Sequence, residues 1–458
     1  MGTLATVASS AVVIRHLGVV DTGRWVTVMS LVVIVGSISD LGLSAVGVRE
    51  YTVRPPEEGR RFLRNLLGMR MAFVILGLGV AVAFTVGAAY TTTMVLGTIL
   101  AGAGMVLFVI QQSLTIPLQA RLRLGWVAAF QLLFLVGLAL EAVVLVAIGA
   151  GLLPFFALWI PITAVVLAIT VRIGGPETSV LPAIHLPEWR GMLREILPLS
   201  AAVVLSVLYF RIAQVMTSVI SSETQTGYFG VAFRILEAVT IVPPLLVSTA
   251  LPILARSARD DPDRFDYAGR RLVETMVLAG VGVALVVFLG AEFAVDLVAG
   301  SDFEPSVDVL RVLAFALMGT FVIAARGYSL LSLGRLRAMF VSNAIALAVV
   351  LGAGIPLIHA HGAIGAAIAL MAAELTLAVC YEVSLTRDRP QLRPSAGFLW
   401  RAACAAAAAL PVLLLLGLPS LAAAVVGLVI YCGMLIVLGV VPPELRHALL
   451  PNRRPKDS

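Results

Sequence analysis

The chain has 458 residues, 60% of them hydrophobic and only 13% charged, with a formal net charge of +6. A soluble domain is about 45–50% apolar and roughly 25% charged, so the polar residues needed to coat a water-soluble body of this size are missing. The positive charge does not point to nucleic acid, because the basic residues lie in the gaps between apolar runs, where they report membrane topology. All but one of the 32 basic residues are arginine, the exception being Lys456. That excludes a phosphate-loop lysine and Schiff-base chemistry within the body of the chain. Cys380, Cys404 and Cys432 form neither a disulfide framework nor a CxxC metal pair and are read as packing residues.

In chain order, apolar runs fall near 3–15, 25–48, 66–90, 92–118, 126–150 and 152–171. A second set falls near 197–220, 227–255, 272–299, 307–333, 338–358 and 362–385, and two more runs lie near 398–417 and 420–441. Runs of this kind, about 17–25 residues long, cross a hydrocarbon core of ~30 Å as helices. The first is short for a span, and the expectation is that the natural start lies upstream. With no basic residue before Arg15, a removable signal peptide is not expected. The fold expected is an all-α polytopic membrane protein of about fourteen transmembrane helices. Its parts are a lobe over 1–171, a cytoplasmic linker over 172–196, a lobe over 197–385, two further helices over 386–441 and a basic cytoplasmic tail over 442–458. Within the linker, Glu188–Ile196 mixes charges with an apolar edge and reads as an interfacial helix.

Twenty-six of the 32 basic residues lie in the gaps after even-numbered runs or in the tail, among them Arg49, Arg60, Arg70, Arg121, Arg123, Arg259 and Arg389. The odd gaps carry Glu223, Asp302, Glu304 and Asp308 instead. Under the positive-inside rule the even gaps and both termini face the cytoplasm.

Gly23-Arg24-Trp25-Val26 opens the second run and Gly227-Tyr228-Phe229-Gly230 the eighth, while Ala120-Arg121-Leu122-Arg123 closes the fourth and Gly334-Arg335-Leu336-Arg337 the tenth. The implied period is six runs, an even number, so two six-helix lobes enter the membrane in the same direction. Parallel repeats about an axis along the membrane normal, with a site between them, are a transporter arrangement.

A charge at mid-bilayer costs at least ~2.5–3.5 kcal/mol and usually faces an interior or a cavity. Arg211, Gln214 and Ser218 form an i, i+3, i+7 stripe on the seventh run, and Arg234 and Glu237 are paired at i, i+3 on the eighth. Arg211 and Arg234 reach similar depths, with Arg326 a third cation nearer the cytoplasm. This leaves positive charge suited to a phosphate or pyrophosphate, which guanidinium binds bidentately. Glu374, Asp40 and Glu141 are the candidates for ion coupling, Glu374 first because it is central in its run. Pro243-Pro244 and Pro252 interrupt the eighth run. His359 and His361 lack a third ligand, and no metal site or cofactor is expected.

Leu17-Gly18-Val19-Val20-Asp21-Thr22-Gly23-Arg24-Trp25, Asp40-Leu41-Gly42-Leu43 with Arg49-Glu50-Tyr51, the segment 228–256 and the segment 361–374 together resemble motifs of the polysaccharide flippases. These are the Wzx-like branch of the multidrug/oligosaccharidyl-lipid/polysaccharide exporter superfamily. The resemblance covers nearly the whole chain. It implies a two-lobed transporter that moves an undecaprenyl-pyrophosphate-linked oligosaccharide across a bacterial cytoplasmic membrane through a cationic cavity, with membrane lipids and polysaccharide-assembly proteins as partners. A multidrug-type antiporter of the same superfamily is the alternative, although such cavities lean acidic. A membrane glycosyltransferase, polymerase or ligase is a third reading. The short external gaps, which hold no catalytic constellation, HExxH or GxSxG, argue against an enzyme.

Overall fold

With no water in a hydrocarbon core to satisfy backbone N–H and C=O groups, long Leu-, Val- and Ala-rich stretches must bond internally, as helices. The computed structural model describes residues 2–175, 178, 181–248, 250–411 and 419–440, and among these it has eighteen α-helices and no strand. The first half contains α1 (Gly2–Asp40), α2 (Leu43–Val53), α3 (Pro56–Gly87), α4 (Thr92–Leu114), α5 (Ile116–Ala120), α6 (Leu124–Ala147), α7 (Leu152–Phe156) and α8 (Trp159–Gly174). Next come α9 (Leu186–Ile220), α10 (Glu223–Val239), α11 (Val242–Ser248), α12 (Leu251–Asp260), α13 (Pro262–Leu289), α14 (Ala291–Val298), α15 (Ser306–Ser332) and α16 (Leu336–Thr386). The chain continues with α17 (Ala396–Ala409) and α18 (Ser420–Val437).

Among the described residues, eleven segments are long and apolar enough to cross a membrane. Two of them double back. Gly362 leaves the helical region at φ 54° within α16, and a Cβ on Gly354 would lie 3.7 Å from that of Ala369. Fifteen residues of straight helix would separate those positions by ~22 Å, so α16 is a hairpin of two antiparallel legs. Gly18, at φ 70°, reverses α1 in the same way, bringing the Thr22 hydroxyl to 3.5 Å from the Ile14 carbonyl oxygen. The expected thirteenth run is seen as α17; residues 412–418 and the expected basic tail lie outside the described residues.

α1, α3, α4, α6 and α8 pack as one bundle and α9, α10, α13, α15 and α16 as a second, with α1 against α10 as the main seam between them. α17 and α18 pack on α13, where Ala402, Ala405, Ala424 and Tyr431 cover Leu278, Leu285 and Leu289. The turns rich in arginine gather at one end of the bundles, called here the basic end.

Two sequence expectations change. The linker segment Glu188–Ile196 does not form a separate interfacial helix, because it is the continuous beginning of α9. Its apolar edge, Met192 and Ile196, packs against Leu43, Phe62, Leu63 and Leu66 of the first bundle, and Glu188 takes Arg61 at 2.7 Å. The eighth run holds one span, Glu223–Ser248, and is interrupted as its prolines lead one to expect, Pro243-Pro244 and Pro252 standing at the starts of α11 and α12. The repeat register also shifts at the basic turns. Leu122 N and Arg123 N donate to Gln119 and Leu118 at 3.0 and 2.9 Å, and Gly334 N and Arg335 N donate to Leu331 and Leu330 at 3.0 and 2.9 Å. The residues at positive φ are Leu122 (57°) and Gly334 (67°). Backbone geometry therefore pairs Leu122 with Gly334 and Arg123 with Arg335, two positions away from the pairing that the shared Arg-Leu-Arg spelling suggests.

Candidate substrate cavity

At the end opposite the basic turns the bundles meet on two glycines read as repeat partners. A Cβ on Gly23 would lie 2.4 Å from the Glu223 carbonyl oxygen, and one on Gly227 would lie 2.2 Å from that of Val19. Equivalent residues meeting face to face are what a twofold axis between two halves produces. Arg24 fastens this end, with Nε and Nη2 on the two oxygens of Glu223 at 2.9 and 2.7 Å and Nη1 on Asp21 at 3.0 Å. Arg15 Nη2 adds the Asp296 carbonyl oxygen at 2.6 Å.

Beneath this closure lies a cavity of about 300 Å³ between the bundles. The first bundle contributes Ser10, Trp25, Ser30, Phe134 and Trp159 to its wall, and the second contributes Arg211, Phe233, Arg234 and Glu237. Arg211 is nine residues from the end of α9 and Arg234 eleven from the start of α10, so both stand about 14–16 Å below the closed end. That is half the thickness of a hydrocarbon core.

The two guanidiniums share one carboxylate. Arg211 Nη2 bonds Glu237 Oε1, and Arg234 Nη1 bonds Oε2 at 2.9 Å. Arg234 is held from the other bundle too, its Nε and Nη2 donating to Ser10 Oγ at 3.1 and 2.8 Å. The cluster carries one net positive charge, and a guanidinium has five N–H donors, so Arg211 retains donors beyond its bond to Glu237. Trp25 lines the same wall, and its Nε1–H has no hydrogen-bond partner among the described residues. Sequence reasoning paired Glu237 with Arg234 alone and singled out neither Ser10 nor Trp25 as part of a site. An unpaired indole or an inter-bundle serine has no signature in a single sequence.

Of the other nominated residues, Arg326 is not in this cavity. It is wholly buried at the basic end of the second bundle, with Nε and Nη2 on Glu382 at 2.5 and 3.0 Å and Nη2 also on the Leu392 carbonyl oxygen at 2.8 Å. Gln214 is buried beside the seam of α9 and α10, donating to the Thr226 carbonyl oxygen at 3.3 Å, and does not line the cavity. Ser218 completes the expected stripe only in spacing, since it bonds the Tyr90 hydroxyl at 2.5 Å across the bundles. Glu141 stands on α6 outside the cavity wall, with a buried Oε2 that has no partner among the described residues. Glu374 is buried inside the second bundle, where Tyr209 OH donates to Oε1 at 2.9 Å and Thr320 Oγ1 lies 3.0 Å from Oε2.

Asp40 belongs to a second cavity of about 410 Å³ nearer the basic end. Val33 and Trp159 wall both cavities, which therefore follow one another along the seam. Asp40 accepts from Arg70 at 2.9 Å and from Ser44 at 2.6 Å. Arg70, which the topology count assigned to a polar gap, is only 2% exposed and also donates to Ser113 Oγ at 3.0 Å. The chain thus has two arginine–carboxylate stations in series between its bundles.

No family model and no curated protein sequence matches the chain. Solved structures do. The lipid II flippase MurJ in an inward closed conformation aligns at a TM-score of 0.76 and 12% identity, over 98% of this chain and 98% of that one. An inward-facing MATE family multidrug resistance transporter of the MOP superfamily aligns at 0.69 and 15%, over 86% and 96%. A MOP superfamily transporter from Pyrococcus furiosus, described for the reverse polarity of its binding pocket, aligns at 0.57 and 14%, over 86% and 93%. The chain has the transporter fold shared by the lipid II flippase MurJ and the MATE transporters.

Proposed function

We propose that the chain is a flippase that carries the pyrophosphate-linked oligosaccharide headgroup of an undecaprenyl lipid across a bacterial cytoplasmic membrane. The observation that carries this reading is the pair Arg211 and Arg234 sharing Glu237 at mid-depth between the bundles. One uncompensated guanidinium charge, with spare donors and the Trp25 N–H, suits a diphosphate, while the polyprenyl tail remains in lipid. The likeness to MurJ over nearly the whole of both chains supports a lipid-linked cargo. The arginine-rich turns face the cytoplasm under the positive-inside rule. The headgroup then enters from the basic end, passes Arg70 and Asp40, and meets Arg211 and Arg234 beneath the outer closure. At about 300 Å³ the upper cavity is small for several sugars, so the bundles part during passage. Glu374 is the carboxyl assigned to ion coupling.

The same walls favour a second reading. Trp25, Phe134, Phe155, Trp159 and Phe233 make an aromatic enclosure of the kind that takes flat organic molecules, as a multidrug antiporter requires. The test separates the two. In proteoliposomes, translocation of a diphosphate-linked polyprenyl sugar should fall about 10–100-fold on Arg211→Ala or Arg234→Ala, the loss expected for one charge-assisted contact. Each single change leaves Glu237 one guanidinium, so abundance should hold. Lysine at either position should restore activity only in part, because the bidentate geometry is lost. Full flipping by both alanine variants, or efflux of an organic cation dye in place of any lipid movement, would discard the flippase reading.

A further inference from the structure

The two cavities along the seam offer opposite chemistry. In the upper one the spare groups are donors, on Arg211 and Trp25. In the lower one, of about 410 Å³, the spare groups among the described residues are mostly acceptors. Arg70 stands behind its carboxylate, its side chain 3% exposed against 39% for Asp40, so the wall presents the acid and hides the base. Arg70 Nη2 and Ser44 Oγ both bond Asp40 through Oδ1, at 2.9 and 2.6 Å, and Oδ2 has no partner among the described residues. Ser37 commits its one hydroxyl proton to the Val33 carbonyl oxygen at 2.9 Å and keeps lone pairs with which to accept. Gln112 lines the same wall, and its side-chain amide makes no hydrogen bond among the described residues. Phe108 and Trp159, with ring centroids 5.5 Å apart, supply the aromatic part.

We propose that this lower cavity is the sugar subsite of the translocation path, where Asp40 Oδ2 and the Gln112 amide take sugar hydroxyls and Phe108 and Trp159 cover a ring face. The proposal rests on the flippase reading and adds what that reading leaves open, namely how a glycosylated headgroup is told from a bare diphosphate.

A diphosphate brings only negative charge and acceptor oxygens, which a wall of acceptors around a carboxylate repels. A sugar hydroxyl is a donor, and its bond to a carboxylate is of the stronger, charge-assisted kind. Apolar and aromatic walls with a few placed polar groups are the usual make-up of a site for a small organic ligand, and the volume lies within the range of such sites. The spacing fits as well. Ser30 lines the upper cavity and Asp40 the lower, ten residues apart on α1 and so ~15 Å along the seam. A headgroup whose phosphates lie at Arg211 and Arg234 therefore extends its sugars toward Asp40, over the run of a short oligosaccharide. A bare diphosphate in the upper cavity leaves Asp40 Oδ2 and Gln112 unanswered. Sites built to bond a hydroxyl reject the analogue that lacks it.

Proteoliposomes carrying either undecaprenyl diphosphate or undecaprenyl diphosphate bearing a trisaccharide test the subsite through the initial rate of translocation. Wild-type protein should move the glycosylated lipid faster. Gln112→Leu breaks no bond within the described structure; it should slow the glycosylated lipid about fivefold and leave the bare lipid near its wild-type rate. Asp40→Asn keeps the side-chain shape and an oxygen for Arg70, and should slow the glycosylated lipid about tenfold or more. Arg211→Ala should slow both lipids, because it acts on the part that they share. Movement of neither lipid by wild-type protein would discard the flippase reading, and the subsite with it. Wild-type movement of both lipids at one rate, or an equal effect of Gln112→Leu and of Asp40→Asn on both lipids, would overturn the sugar subsite alone. Block of the wild type but not of Asp40→Asn by an organic cation would give the carboxylate to a cation and also overturn it.

Discussion

Arg326 and Arg234 are both guanidiniums set in apolar sequence, and their surroundings give opposite accounts. Around Arg326 the second bundle closes a lock: Glu382 takes it bidentately, the Leu392 and Gly269 carbonyl oxygens receive further donors, and no side-chain surface is left exposed. Around Arg234 the bundles leave a cavity, and its one carboxylate is divided with Arg211. The first arginine has its charge paired, four of its five donors used and no exposed face for a ligand, whereas the second belongs to a cluster with surplus charge and donors. A charge inside a membrane is a functional hypothesis by default. The default is decided by counting the donors that remain after the protein has used its own.

The largest effect should come from breaking the lock. Arg326→Ala strands two carbonyl oxygens and leaves Glu382, itself 27% exposed, unpaired at the basic end, a loss of up to about 3–5 kcal/mol, the figure for a fully buried pair. The variant should lose most of its folded abundance in the membrane, read by fluorescence-detected size exclusion of a tagged chain. Arg326→Ala combined with Glu382→Ala should recover part of that loss, as coupled residues do in a double-mutant cycle. Wild-type abundance in Arg326→Ala would mean that the two arginine environments do not differ in the way described.

Much of this was legible in the sequence, and the parts that were not share a cause. Apolar run length gave the helices, and the parity of arginine-bearing gaps gave their alternation, because both depend on local composition. Arg211, Arg234 and Glu237 were legible because a short turn between antiparallel helices fixes their relative depth. Arg326 was misjudged because Glu382 lies 56 residues away and Leu392 farther still, so a partner brought by tertiary packing left no local mark. Arg70 was assigned to a polar gap for the same reason, its partners Asp40 and Ser113 lying on neighbouring helices. The Arg-Leu-Arg spelling misplaced the repeat register because backbone geometry depends on which residue takes positive φ, and the first half puts a leucine there.

Glu374 sharpens the comparison from the acidic side. It is buried with two hydroxyls and has no ion-pair partner among the described residues, so it is the carboxyl counterpart of an arginine with charge to spare. Ionisable side chains inside membrane-spanning helices mark proton and ion pathways. Glu374→Gln keeps the shape and the hydroxyl contacts, and abundance should stay near wild type, in contrast to Arg326→Ala. Gradient-driven translocation should drop by about tenfold or more, the equivalent of ~1.4 kcal/mol, and the residual rate should no longer respond to collapsing the proton or sodium gradient. A variant that flips lipid at the wild-type rate and still follows the gradient would leave Glu374 a packing residue.

The smallest effect bears on the two halves themselves. Leu122 and Gly334 close the same turn at φ 57° and 67°, a region where a side chain crowds the following carbonyl and costs roughly 1–2 kcal/mol. Glycine removes that strain and gives back about 0.5–1 kcal/mol through the freedom it adds to the unfolded chain. The Leu122 side chain is 81% exposed, so little protein packing is lost with it. Leu122→Gly should therefore stabilise the detergent-solubilised chain by at most ~1 kcal/mol, and Gly334→Leu should destabilise it by a similar amount. Thermal unfolding followed by tryptophan fluorescence reads both. Opposite signs would show that the halves share one turn with different residues at its strained position; destabilisation by both changes would show instead that the leucine is held by contacts with lipid or detergent that the glycine turn does not make.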